Sequence, residues 1–151
     1  MSAHADTAKM VLAAYASGEV AVLDQLHSPD YVDHSPFPGQ SSGSAGLRER
    51  AMVLSSSLFD TRVVTHILID EGDTVVCSTR SRGVHKGSFL GVAATGRQVE
   101  ITGLCVFRFA EGLVRETWSS FQVLGMFENL AVAPPLAPAP QPLGLLSAAS
   151  F

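Results

Sequence analysis

Residues 83–97 read GVHKGSFLGVAATGR, and this stretch decides the fold. It lies between two runs rich in β-branched and apolar residues, 74–83 and 98–109, which read as strands. Gly91 and Gly96 bound a loop between them. The loop is no phosphate cradle, because it lacks a Gly-Lys-Ser/Thr step and no helix follows it. Glu111-Gly112 then turns the chain back into a further strand, 113–123, within RETWSSFQVLGMF at 115–127. Upstream, residues 62–69 form another β-branched run, and Glu71-Gly72 turns it into 74–83. Four strands in succession form an antiparallel sheet.

The residues before the strands have helical spacing. Residues 6–16 predict a helix capped by Asp6 or Thr7, with Val11 and Tyr15 on one face. Ser17-Gly18 breaks it. Val20, Leu23 and His27 mark a second helix, stopped at Ser28-Pro29. Residues 31–34 are short and extended, and 35–44, with Pro36, Pro38, Gly39 and Gly43, form a loop. Leu47, Ala51, Leu54 and Leu58 predict a third helix over 46–59. Helices followed by a run of strands make an α+β domain.

Composition excludes several function classes. At 151 residues the chain fits one domain with its own core. No apolar run reaches the roughly 18 residues of a membrane span, and the polar start MSAHADTAKM does not read as a secretion signal; a cytoplasmic protein is expected. The formal charge is −4, and the ten Lys and Arg are scattered. Neither a nucleic-acid footprint nor a polybasic membrane patch is visible. Cys77 and Cys105 lie in strand-like runs and read as buried free thiols.

The order of these pieces resembles the SnoaL-like polyketide cyclase family, whose members have a nuclear transport factor two-like fold. The family pattern is roughly GTHxGxFxGxPPTGR, a strand, a turn, then EHW with an Asp four residues beyond the Trp. Here Gly83 to Arg97 carry the first motif, with Ala93-Ala94 in place of two prolines, and Glu116-Thr117-Trp118 the second. The resemblance covers about residues 7–130. It implies a cone: a curved antiparallel sheet wrapped around three N-terminal helices, with an apolar interior. The domain is assigned to 1–131 and a Pro/Ala/Leu-rich tail to 132–151.

The family's acid/base Asp is replaced here by Gln122. An amide donates and accepts hydrogen bonds but does not exchange a proton at neutral pH. Gln122 either orients a substrate oxygen or is a structural residue at a strand end. The family's pocket residues lie on the Trp face, so pairing Ala110 with Leu113 without interruption assigns Ile101, Cys105, Phe107, Glu116, Trp118, Ser120 and Gln122 inward. Glu116 in an apolar cone is expected to have a raised pKa. His34, in the family's Tyr-x-x-His position, is a candidate proton shuttle. Gln122, His34 and Glu116 are therefore the candidate catalytic residues. Tyr15, Trp118, His85, Phe59, Phe89, Phe107 and Ser120 are the candidate substrate-binding residues. Each also has a structural reading, as core aromatic, loop support or strand-flank ion pair. Asp33, His34 and Glu116 match no metal-ligand spacing, so neither metal nor cofactor is expected.

The implied activity is cofactor-independent ring closure or isomerisation of a hydrophobic polyketide-type secondary metabolite. Epoxide opening by paired carboxylates and non-catalytic small-molecule binding are the alternatives. Leu104 and Val106 make the outer side of the long strand apolar as well, which predicts a homodimer. The tail contains five of the eight prolines. It is expected to dock on the protein through Leu145, Leu146 or Phe151, after a short helix at 124–131.

Overall fold

The computed structural model describes residues 2–122. The expected helix at 124–131 and the docked tail lie outside the described residues. The elements run α1 (Ala3–Ser17), α2 (Val20–Leu26), β1 (His27–Asp33), α3 (Gly43–Ser57), β2 (Leu58–Glu71), β3 (Thr74–His85), β4 (Gln98–Ala110) and β5 (Leu113–Phe121). The curved sheet has the order β1-β5-β4-β3-β2, with the three helices packed against it.

The first helix begins three residues earlier than expected. Ser2, not Asp6 or Thr7, is its cap, and its Oγ accepts from the Ala5 amide. The same residue donates through N and Oγ to Asp70 at the end of β2, which ties the helix start to the sheet. Ala5, Ala8, Val11 and Ala14 are buried, and these small side chains bring α1 close to β2 and α3. Gly18, at φ 76°, ends the helix with its N–H on the Ala14 carbonyl.

The sheet departs from the expectation at one edge, where β1 pairs with β5 in parallel. The other strands pair antiparallel with their neighbours, β2–β3 and β4–β5 through tight turns and β3–β4 through the 86–97 loop. The β4–β5 turn has Glu111 at φ 53° and Gly112 at φ 81°, the paired positive values that a two-residue hairpin favours. No such turn links β1 to β5, which are separated by α3 and three strands, so a crossover sets their relation.

A second departure decides which side chains reach the interior. Ala110 faces Leu113 and Phe109 faces Val114, but Arg108 faces Glu116. Arg115 is the extra residue of a β-bulge, and its guanidinium donates to the Asp30 carbonyl of β1. Beyond the bulge the register moves by one, and every following β5 side chain changes face. Thr117, Ser119 and Phe121 therefore point inward with Cys105 and Phe107, while Glu116, Ser120 and Gln122 point outward; Trp118 shares their register but still reaches the rim of the interior. The main core joins Val11, Leu23, Leu47, Val75, Phe107 and Val114. A smaller cluster of Leu58, Phe89 and Val99 seals the end near the 86–97 loop.

Candidate active site

Between the helices and the inner sheet face lies a largely apolar cavity of about 120 Å³. Cavities of that order admit a single aromatic ring. Tyr15, Phe89 and Phe107 are in its wall. Trp118 borders it too, although its ring stacks on the His34 imidazole at 4.4 Å.

Arg50 is the cation of this cavity, and its side chain is 7% exposed. It comes from α3 and sits one position before Ala51 on the buried stripe. Its guanidinium lies 4.4 Å from the Phe37 ring centre, 5.6 Å from Phe121 and 5.7 Å from Tyr15. Nη1 donates to Asp33 Oδ2 at 3.0 Å and Nη2 to Ser119 Oγ at 3.2 Å. Asp33 is also 7% exposed. Its Oδ1 accepts from the Ser35 amide, and its Oδ2 also accepts from Gln40 Nε2. Buried charge at this cost is retained when paired and fully hydrogen-bonded.

Beside the ion pair lie two phenols. Tyr31 Oη and Thr117 Oγ1 are 2.5 Å apart, and Tyr15 hydrogen-bonds Tyr31. Burial pushes the Tyr31 hydroxyl up to about 12 and raises Tyr15 as well, so both are neutral O–H groups at physiological pH. The cavity thus offers a guanidinium and phenolic hydroxyls to an oxygen on an otherwise apolar ligand. This is the donor set that stabilises developing negative charge on a carbonyl oxygen.

The expected catalytic residues lie elsewhere. Gln122 is exposed on the outer face, where its Oε1 accepts from Thr102 Oγ1 at 3.0 Å. His34 and Glu116 meet each other instead of the cavity. His34 Nε2 donates to Glu116 Oε1 at 3.0 Å, and Arg108 donates to Oε2 at 3.3 Å. The hydrogen bond from His34, helped by Arg108, holds Glu116 below the usual carboxylate range, opposite to the expected rise. Ser120 lines a groove on the outer face. The bulge at Arg115 turns Glu116 and Ser120 of β5, and Gln122 just beyond it, outward together. His34 follows inward-facing Asp33 at the bend that ends β1, and its side chain turns to Glu116 and Trp118.

Phe59 is 44% exposed at an irregularity where β2 leaves α3, so it is not cavity wall. His85 is fully buried and holds the long loop. Its Nδ1 accepts from the Thr95 amide at 3.3 Å and meets Thr95 Oγ1 at 3.0 Å. Sequence reasoning missed Arg50, Tyr31, Thr117 and Ser119. The signal for Arg50 was present, because it lies three residues after Leu47 and four before Leu54 on the apolar stripe of α3.

The family model described as SnoaL-like polyketide cyclase matches residues 5–130. Among solved structures, TsrD from Streptomyces laurentii superposes with a TM-score of 0.74 at 26% identity, covering 85% of this chain and 97% of that one. IdmH from Streptomyces antibioticus gives 0.73 at 26% identity, covering 85% and 99%. AclR from Streptomyces galilaeus, at 22% identity and a TM-score of 0.73 over 87% and 97%, shares the fold. No curated protein matches the chain. No described helix is long and apolar enough to cross a membrane.

Proposed function

The chain belongs to the SnoaL-like polyketide cyclase family, and on that premise we propose that it closes or isomerises a ring of a hydrophobic, polyketide-type metabolite without a cofactor. The observation that carries this reading is Arg50, buried in an apolar cavity and held by Asp33 and Ser119 beside Tyr15. One ring of the substrate fills the cavity. Its carbonyl accepts from Arg50 or Tyr15, and the negative charge that develops as a new bond forms rests on that oxygen. Holding a flexible chain in a reactive shape supplies much of the remaining acceleration.

The placement of the carboxylates argues against the epoxide-opening alternative. That chemistry needs a second acid near the first, but Asp33 faces inward and Glu116 outward. The binding-protein reading keeps one support: Asp33 is saturated by Arg50, Ser35 and Gln40, so it is not a free base.

The test is co-expression in a host that makes an aromatic polyketide with its last ring open. The expected result is a ring-closed isomer of the same mass in cell extracts. Tyr15→Phe and Ser119→Ala should lower its yield by about 10-fold or more. An unchanged product profile with the wild-type chain would leave binding as the function.

A further inference from the structure

The two cysteines form a feature that ring closure does not use. In the sheet register Cys77 faces Cys105, and Cys105 faces Ser119, so the three make one inward row across β3, β4 and β5. Ser119 accepts from Arg50 at the end of that row. Adjacent strands are about 4.8 Å apart, so the guanidinium lies roughly one strand from the Cys105 sulfur. Cys105 borders the cavity, whereas Cys77 is completely buried behind it. Both are free thiols, and their side chains hydrogen-bond each other. The cavity therefore holds a sulfur nucleophile and a cationic donor for a carbonyl oxygen, and a second thiol backs the nucleophile from outside it.

We propose that Cys105 is a covalent capture site for α,β-unsaturated carbonyl compounds, with Arg50 holding the carbonyl oxygen and Cys77 supporting the attacking sulfur from the neighbouring strand. The Cys105 sulfur lone pair forms a bond to the β-carbon. The C=C π pair moves through the α-carbon onto the carbonyl oxygen, and the resulting enolate accepts from Arg50. The enolate collapses as the α-carbon takes up a proton from solvent, equivalent to the one that Cys105 gave up on attack. The sum is addition of one thiol across one double bond, with no oxidant or reductant. Because the bond that was double becomes single, the captured chain rotates about it before elimination restores it. The site therefore exchanges E and Z forms of a conjugated ligand, bringing a misfolded isomer into the shape that closes.

The electrostatics agree with this division of roles. The hydrogen bond from Cys77, with the nearby Arg50 charge, lowers the Cys105 thiol below its ordinary value. The same hydrogen bond, and burial, push Cys77 up. The more ionised sulfur is the one at the cavity, and thiolate is the reactive form. The inference rests on the cavity being the substrate site, and it narrows the substrate to a conjugated carbonyl compound.

The probe is 2-cyclohexenone, one ring in size, added to the full chain and followed by intact mass and peptide mapping. One adduct is expected, on Cys105. Its rate should level off with enone concentration, as for binding before reaction, and at low concentration exceed that of glutathione by about 10-fold or more at the same pH. Cys105→Ser should abolish the adduct, and Cys77→Ala should slow it while leaving the site of attachment unchanged; thermal melts check that both variants are folded. A Cys77 adduct, no adduct, or a rate that rises linearly and matches urea-unfolded protein overturns the proposal. Missing adducts with cyclisation intact defeat this inference alone, whereas adducts without any ring-closed product defeat the cyclase reading.

Discussion

Asp33 Oδ2 and Arg50 Nη1 lie 3.0 Å apart with both side chains 7% exposed, so one ion pair joins the end of β1 to the middle of α3 inside the cone. Removing one partner of such a pair strands a charge in a low-dielectric site. Asp33→Asn should therefore lower stability by about 3–5 kcal/mol in urea denaturation. Replacing both, with Asp33→Leu and Arg50→Met together, should recover most of that loss, because no unpaired charge remains. A single-variant cost below about 1 kcal/mol would show that water reaches the pair.

The general plan was legible in the sequence because it rests on period and turn chemistry. The stripe Leu47, Ala51, Leu54 and the turns at Gly72 and Gly112 are local signals. The inward assignment of Ile101, Cys105 and Phe107 on β4 also followed from alternation and agrees with their position at the cavity. What alternation does not contain is an inserted residue. Nothing in Val114-Arg115-Glu116 announces a bulge, and the one contact that accompanies it, from Arg115 to the Asp30 carbonyl, is made to a strand far away in sequence. That single inserted residue reassigned Glu116, Ser120 and Gln122 to the outer face. Arg50 was overlooked for a related reason. A charged residue on an apolar stripe becomes intelligible once its partner Asp33 is placed in space.

Leu104 is 51% exposed and Val64 52%, both bordering an open groove of about 670 Å³ on the outer face. We expect a second copy of the chain to cover this surface, as the apolar residues on the outer side of β4 suggest. Sedimentation of the wild type at micromolar concentration should give a dimer, and Leu104→Asp should give a folded monomer. A monomeric wild type refutes the expectation.

His27 links stability to pH. Its Nδ1–H donates to the Leu23 carbonyl at 2.7 Å, its Nε2 has no hydrogen-bond partner among the described residues, and its ring packs edge-on with Tyr31. Burial pushes the imidazole below its ordinary 6.5, outweighing the Leu23 carbonyl and the opposing charges of Asp24 and Asp33. The folded state thus keeps His27 neutral where the unfolded chain already binds a proton. The unfolded state binds more protons below about pH 6.5, so stability present above that value is lost as pH falls. The drop in melting temperature from about pH 7 to about pH 5 should be smaller in His27→Gln than in the wild type. Equal drops would assign the acid sensitivity to other groups.

Gly87, in the motif that decided the fold, packs against the end of α3. A Cβ there would come within 1.9 Å of the Ser56 carbonyl oxygen, which is backbone and does not swing aside. The Gly87 amide already donates to the Ser57 carbonyl, which fixes the approach of the two segments. Gly91, in the same loop, presents the opposite case: an added Cβ meets nothing within 4 Å, but φ is +80°. Gly91→Ala should therefore cost only the conformational penalty of about 1–2 kcal/mol. Gly87→Ala must separate the loop from α3, and it should cost more than Gly91→Ala while loosening the wall at Phe89. Urea denaturation of the two variants side by side gives the comparison. A Gly91→Ala loss equal to or larger than that of Gly87→Ala would mean that backbone conformation, and not close packing on α3, explains the glycines of this loop.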